Sequence, residues 1–243
     1  MRNYVLGMPL DAVRLDEAAD WVLTEMRRGV GVGGRGRLVV TLNPEIVVRA
    51  REDHALGEAV RHADLVVADG VGVAWAARRQ GIELPERVPG VDLVQAVLER
   101  GGPAVTAFLL GAAPGVAEAA GREVTRRYGT RVLGTHHGYF GRGADEVTAV
   151  CRAVKESGAA LLLAGLGEGQ ERFLHRHAEA LGAAVMIGVG GTLDVLSGRV
   201  KRMPRWTTRL GVEWLFRVGL DPKRWRRLPR LWTFALLVLN RRR

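Results

Sequence analysis

The sequence predicts an α/β fold: a doubly wound, mainly parallel, Rossmann-like sheet with a C-terminal helical, cationic appendage. Short apolar runs rich in β-branched residues recur without polar alternation, the mark of strands buried on both faces. Each run ends in glycine or a polar turn and leads into a stretch of helical periodicity, the alternation that builds a parallel sheet. Charge then divides the 243 residues. Residues 199–243 hold 14 Lys and Arg against two acidic residues, a net of +12, so residues 1–198 carry −2 of the overall +10.

The strand-like runs are 38–42, 65–68, 105–110, 131–133, 160–164 and 185–189. Helical patterns cover 44–60, 91–100, 114–128, 146–157 and 171–181. Asn43 is a cap residue with Pro44 at the first helical position, and Pro114 opens another helix. In a parallel sheet, ligands bind in the loops beyond the carboxyl ends of the strands. Those loops are 41–45, 68–72, 111–115, 136–140, 165–171 and 188–194. The last three are rich in glycine, which lets backbone N–H groups approach phosphate. Two units follow: an α/β body over 1–198 and a basic, Trp-rich helical tail over 199–243.

Several classes fall away. A lone Cys151 excludes a disulfide framework and any multi-cysteine metal site. The first ten residues hold no apolar core of signal-peptide length, and the longest apolar stretch of the tail, 231–239, is far short of the ~20 residues that span a bilayer. These features fit a reduced, cytoplasmic protein. No G-x-G-x-x-G follows the first strand and no Walker-type phosphate loop is present. His136-His137 lacks the acidic companions of a metal site, so no metal is assigned. Singly, the polar loop residues are ambiguous. Asp69-Gly70 reads as a turn or as a general base at the ligand edge. Arg87, in a Pro/Gly-punctuated loop, either clamps a phosphate or faces solvent.

Taken in order, the loops are more specific. Thr41-Leu-Asn-Pro-Glu45, Ala68-Asp-Gly-Val-Gly72, Arg87-Val-Pro-Gly-Val-Asp-Leu93, Leu109-Leu-Gly-Ala-Ala-Pro-Gly115 and His137-Gly-Tyr-Phe140 come first. Gly165-Leu-Gly167 with Gln170-Glu171, Gly188-Val-Gly-Gly-Thr-Leu-Asp194, Ser197-Gly-Arg-Val-Lys-Arg-Met-Pro-Arg-Trp206 and Leu210-Gly-Val-Glu-Trp-Leu-Phe-Arg217 complete the series. The chain resembles the WecB/TagA/CpsF family of bacterial glycosyltransferases over nearly its whole length. One departure stands out: the family's Gly-x-Pro-Lys-Gln-Glu is shortened here, with Glu168-Gly169 before Gln170-Glu171 and no lysine.

The resemblance implies an inverting, metal-independent and cofactor-free transfer of an N-acetylhexosamine, typically N-acetylmannosamine, from a UDP-sugar to polyprenyl-diphosphate-linked GlcNAc. It implies Asp69 as base, Arg87 as neutraliser of a diphosphate, and Thr41 and Asn43 as positioning residues. Gln170 would serve the donor site, with Gly111, Gly190 and Gly191 offering backbone N–H groups. Arg199, Arg202 and Arg205 are the tail arginines nearest the site. With no metal, charge developing on UDP must be met by arginine, N–H groups and helix N-termini.

Four of six tryptophans (Trp206, Trp214, Trp225 and Trp232) lie in the tail beside its basic residues. Trp206, Leu210, Trp214 and Val218 form a helical stripe, with Arg205, Arg209 and Arg217 alongside and Glu213 among them. The stripe fits either a core-packing helix or an anionic membrane surface, where a polyprenyl acceptor also lies. The tail reading places the protein on the inner face of the plasma membrane, with no nucleic-acid partner. A nucleic-acid-binding α/β protein with a basic tail and a UDP-sugar-modifying enzyme are the alternatives. The donor sugar and self-association into a homo-oligomer stay open.

Overall fold

The computed structural model describes residues 2–30, 34–141, 143–201, 225 and 228–240. A hairpin of β1 (Arg2–Val5) and β2 (Met8–Asp11) opens the chain, followed by α1 (Leu15–Arg28). Next come β3 (Arg37–Leu42), α2 (Pro44–Glu52), α3 (His54–Arg61), β4 (Leu65–Ala68), α4 (Val71–Arg79) and α5 (Gly90–Gly101). The second half runs β5 (Thr106–Gly111), α6 (Val116–Tyr128), β6 (Arg131–His136), α7 (Ala144–Ser157), β7 (Leu161–Gly165), α8 (Gln170–Arg176), α9 (Ala178–Leu181), β8 (Val185–Gly188) and α10 (Thr192–Leu196). The tail contributes α11 (Leu228–Asn240). No described helix is long and apolar enough to cross a membrane.

The six apolar runs are the six strands of one parallel sheet, in the order β4-β3-β8-β7-β5-β6. Their continuous apolarity has the expected cause. Val40, Leu42, Leu110 and Leu162 face one buried layer, covered by α2, α3, α7 and α8. Val39, Val67, Leu109 and Ile187 face the other, covered by α1, α5, α6 and α10. The first and last strands, β3 and β8, lie side by side. The chain leaves β3 through α2 in one layer and ends the sheet at β8, followed by α10 in the other layer, so a crevice opens beyond the carboxyl ends of these two neighbours.

Local chemistry revises several predicted elements. The helix expected over 44–60 is two helices, because Asp53 takes extended backbone between them. Its N–H donates to the Arg49 carbonyl, closing α2, and its carboxylate accepts from the Leu56 N–H at 3.1 Å, opening α3. The helix expected over 171–181 divides at His177, whose backbone leaves the helical range without a side-chain cap. The fourth strand runs three residues further than expected, to His136. The hairpin was not anticipated from sequence. It is held by Asp11, whose carboxylate accepts from both the Arg2 guanidinium (3.1 and 3.0 Å) and the Val66 N–H (2.8 Å). That contact covers the outer edge of β4, which would otherwise present unpaired backbone groups.

Of the tail, the stripe from Trp206 to Val218, together with Arg202, Arg205, Arg209 and Arg217, lies outside the described residues. The helix α11 packs against α2 and α4, burying Phe234 and Val238 in the layer that holds Ile46 and Val73. Phe234 approaches through Gly72, where an added Cβ would lie 3.4 Å from its ring and 2.5 Å from Pro44 Cγ.

Gly111, at the end of β5, has φ +135° and no room for a side chain: a Cβ would fall 2.4 Å from the Gly165 carbonyl oxygen of β7. Strain of this kind costs about 1–3 kcal/mol, and overpacking a similar amount. Gly111→Ala is therefore expected to lower the free energy of unfolding by about 2–5 kcal/mol, measured by urea denaturation. An unchanged midpoint would contradict this account of Gly111.

Candidate active site

The seam between β3 and β8 opens into a cleft of about 550 Å³, bounded by residues from the ends of β3, β4, β7 and β8 and from the start of α5. Register decides which residues meet there. Leu42 pairs with Ala68, so the next residues, Asn43 and Asp69, emerge side by side from adjacent strands. Val40 pairs with Gly188, which brings Thr41 level with the glycine-rich turn after β8. Thr41 Oγ1 donates to the Gly188 carbonyl at 3.3 Å and is itself buried.

Asp69 is held from both sides by main chain. Its own N–H donates to the Leu42 carbonyl (2.8 Å), and the Val88 N–H donates to the Ala68 carbonyl (2.9 Å). The second bond pins the segment carrying Arg87 beside the tip of β4. Gly90, the first residue of α5, then lies against Thr41, where an added Cβ would come within 3.2 Å of the hydroxyl. Asn43 caps α2 by accepting from the Ile46 N–H at 3.0 Å, so the cap expected from sequence forms at the mouth of the cleft. The N-termini of α2 and α5 both open here, directing the positive ends of their dipoles toward the cleft.

The opposite wall is built from α8 and the β8–α10 turn. Gln170 and Glu171 are buried at the start of α8. The Gly190 N–H donates to Gln170 Oε1 (3.2 Å), and Gln170 Nε2 donates to Glu171 Oε1 (2.9 Å). Burial pushes the Glu171 carboxyl above its usual range, against the hydrogen bond from Gln170 and the charge of Arg49. At the rim, Arg230 of α11 donates to Glu45 Oε1 (2.9 Å) and Glu168 Oε1 (2.8 Å), with Arg49 3.9 Å from Glu168.

The fold thus gathers Thr41, Asn43, Asp69, Arg87, Gln170, Gly190 and Gly191 around one cleft. Gly111 does not line it; its place is the close contact between β5 and β7. Arg199 is exposed just beyond α10, near Val200, which does line the cleft. Arg202 and Arg205 lie outside the described residues. Reasoning from sequence missed Arg49 and Asp92 as lining residues, and gave Glu45, Glu171 and Asp194 no role of their own although they fall in the loops it named. Glu45 and Arg49 are separated by one helical turn on α2, a signal readable only once Asn43 is known to start that helix at the cleft. Among the described residues, no cluster of three or more His, Cys, Asp or Glu is arranged to hold a metal ion.

A transferase of Bacillus subtilis (strain 168), named N-acetylglucosaminyldiphosphoundecaprenol N-acetyl-beta-D-mannosaminyltransferase, is 31% identical over 208 residues, covering 84% of this chain and 80% of its own. A protein of the same name from Staphylococcus aureus (strain NCTC 8325 / PS 47) is 34% identical over 202 residues, covering 82% and 77%. The family profile described as glycosyl transferase WecG/TagA/CpsF matches residues 3–243, so the chain belongs to the WecG/TagA/CpsF family of glycosyltransferases.

Proposed function

We propose that this chain transfers an N-acetylhexosamine, most simply N-acetylmannosamine, from a UDP-sugar to undecaprenyl-diphosphate-linked GlcNAc in cell-surface polymer synthesis. The relatives' names support the acceptor and the sugar. The observation that carries the mechanism is the register that sets Asp69 beside Asn43, with Arg87 and Gln170 on facing walls of the same cleft.

In the proposed reaction, the Asp69 carboxylate accepts the proton of the acceptor hydroxyl as that oxygen attacks the anomeric carbon. The bond from that carbon to UDP breaks on the opposite face, which inverts the configuration. Asn43 and Thr41 stand beside the base to orient the sugar. Gln170 and the backbone of the Gly190–Gly191 turn serve the donor, the Gly190 N–H itself being taken by Gln170 Oε1. No metal enters this scheme; Arg87 and the N-termini of α2 and α5 meet the diphosphate charge.

Electrostatics favours a contribution from the tail. The described cleft residues include six carboxylates (Glu45, Asp69, Asp92, Glu168, Glu171 and Asp194) but only two arginines, Arg49 and Arg87. A diphosphate in such a cleft calls for further cations. Residues 199–227 carry ten Lys and Arg, and α11 already brings Arg230 to the rim. Arg199, Arg202 and Arg205 are the proposed contributors from the near end of the tail.

The outer face of α11 supports a membrane role for the same tail. Trp232 and Leu236 are 71% and 55% exposed, and Leu239 continues their stripe. With the basic residues around them, they suit an anionic lipid surface on the inner face of the plasma membrane.

Four outcomes are expected. Mixed with UDP-N-acetylmannosamine and a lipid-diphosphate-GlcNAc analogue, the protein should release UDP and glycosylate the lipid; sugar-nucleotide isomerisation, or salt-sensitive DNA binding without transfer, would overturn the reading. Asp69→Asn should keep UDP affinity and lose about 10²–10⁴-fold in turnover, and near-full activity at saturating acceptor would remove Asp69 from the base role. Arg87→Ala should cut turnover with UDP binding largely kept; collapse of UDP affinity would place Arg87 on the donor side. For the tail, Trp232→Glu with Leu236→Glu alters only exposed positions. The pair should leave the melting temperature unchanged and strongly reduce sedimentation with vesicles rich in phosphatidylglycerol. Undiminished vesicle binding would contradict the membrane role of this face.

A further inference from the structure

The mechanism leaves one buried acid of the cleft unused. Glu171 is 3% exposed, at the second position of α8, and its carboxyl accepts from Gln170 Nε2 as well as from its own backbone N–H. We propose that Glu171 is a positioning residue: its carboxyl oxygen holds the Gln170 amide in the single orientation that clamps Gly190 and presents Gln170 to a nucleotide-sugar. The effect on turnover rests on the function proposed above; the orientation of the amide does not.

Three constraints act on Gln170. The Gly190 N–H needs an acceptor, so Gln170 Oε1 must face the β8–α10 turn. Nε2 then points the other way, and buried beside the sheet it needs an acceptor of its own, which Glu171 Oε1 supplies at 2.9 Å. Gly188 confines the pair sterically. A Cβ there would come 2.8 Å from Gln170 Nε2, 3.2 Å from its Cδ and 3.3 Å from Glu171 Oε1, so the backbone of β8 passes directly over both side chains. The amide has no space to swing toward the sheet, and a flip would set Nε2 against the Gly190 N–H, donor to donor.

The acceptor, and not its charge, does this. Arg49 and Glu45 of α2 act on Glu171 from the facing element with opposite sign, and burial disfavours ionisation. The folded carboxyl titrates above its unfolded value, so the native state binds more protons through that window and stability falls as pH rises across it. A neutral side chain offering the same oxygen should therefore serve.

The test compares Glu171→Gln, which keeps an acceptor oxygen at the same reach, with Glu171→Ala and with Glu171→Leu, which lacks the acceptor but fills the space. Glu171→Gln should match wild type within about threefold in KM for the UDP-sugar and retain its melting temperature. Glu171→Ala and Glu171→Leu should raise that KM about tenfold, the effect of one buried hydrogen bond, with kcat changed less. Two signals read the orientation without substrate: the side-chain amide resonances of Gln170, and hydrogen exchange at the Gly190 N–H. Both should be native in Glu171→Gln and disturbed in whichever acceptor-free variant folds. Native Gln170 and Gly190 signals in Glu171→Leu would overturn the proposal, as would a Glu171→Gln variant as impaired as Glu171→Leu. If wild type transfers no sugar from UDP, the functional reading fails, and the two signals still decide the positioning role.

Discussion

The ladder from β4 through β3 and β8 to β7 is the constraint on which the other features rest. All of its bonds are parallel and each register is fixed by two buried apolar faces, so a slip of one residue would turn the core-facing side chains of a strand to the other layer. That same rigidity places the chemistry. Asn43 and Asp69 are neighbours because Leu42 pairs with Ala68, and Thr41 reaches the turn after β8 because Val40 pairs with Gly188. The placement of the proposed site follows from core packing: at β3 and β4 the last residue, Leu42 or Ala68, is buried, and the next, Asn43 or Asp69, stands at the cleft.

The cleft's charge balance sets the second theme. Helix N-termini and Arg87 favour an anion, while six carboxylates oppose one. Two of those carboxylates, Glu45 and Glu168, are already met by Arg230, a residue from the far end of the chain. A charge-assisted contact at a partly buried rim is worth more than a surface ion pair, and this one joins α2 and the β7–α8 loop to α11. At buried Glu171 desolvation raises the carboxyl's pKa, against the hydrogen bond from Gln170.

The helix α11 has two apolar faces with different partners. Phe234 and Val238 close over α2 and α4, the helices that follow Asn43 and Asp69, while Trp232, Leu236 and Leu239 point away from the body. A helix apolar on one side only would be explained by packing alone. The second face is what packing among the described residues leaves over, on a helix that rests against α2 and α4.

How far the sequence reaches can be seen at particular residues. All six strands of the sheet, the cap at Asn43 and the α/β class were legible, because burial on both faces and helix starts leave local signatures in residue type. The candidate site was legible through an ordered set of loop motifs, and seven of its residues converge on one cleft. The breaks at Asp53 and His177 were not, since each interrupts a continuous helical pattern through local capping and backbone geometry that composition barely records. Gly111 looked like a ligand-facing glycine and proves to be a contact between β5 and β7, a distinction that depends on which strands become neighbours. Arg49 and the reach of Arg230 to Glu45, 185 residues away in the chain, likewise had no sequence signal. Periodicity and residue type are local and therefore readable along the chain; who meets whom across the sheet is set by register and crossover, which only the tertiary structure decides.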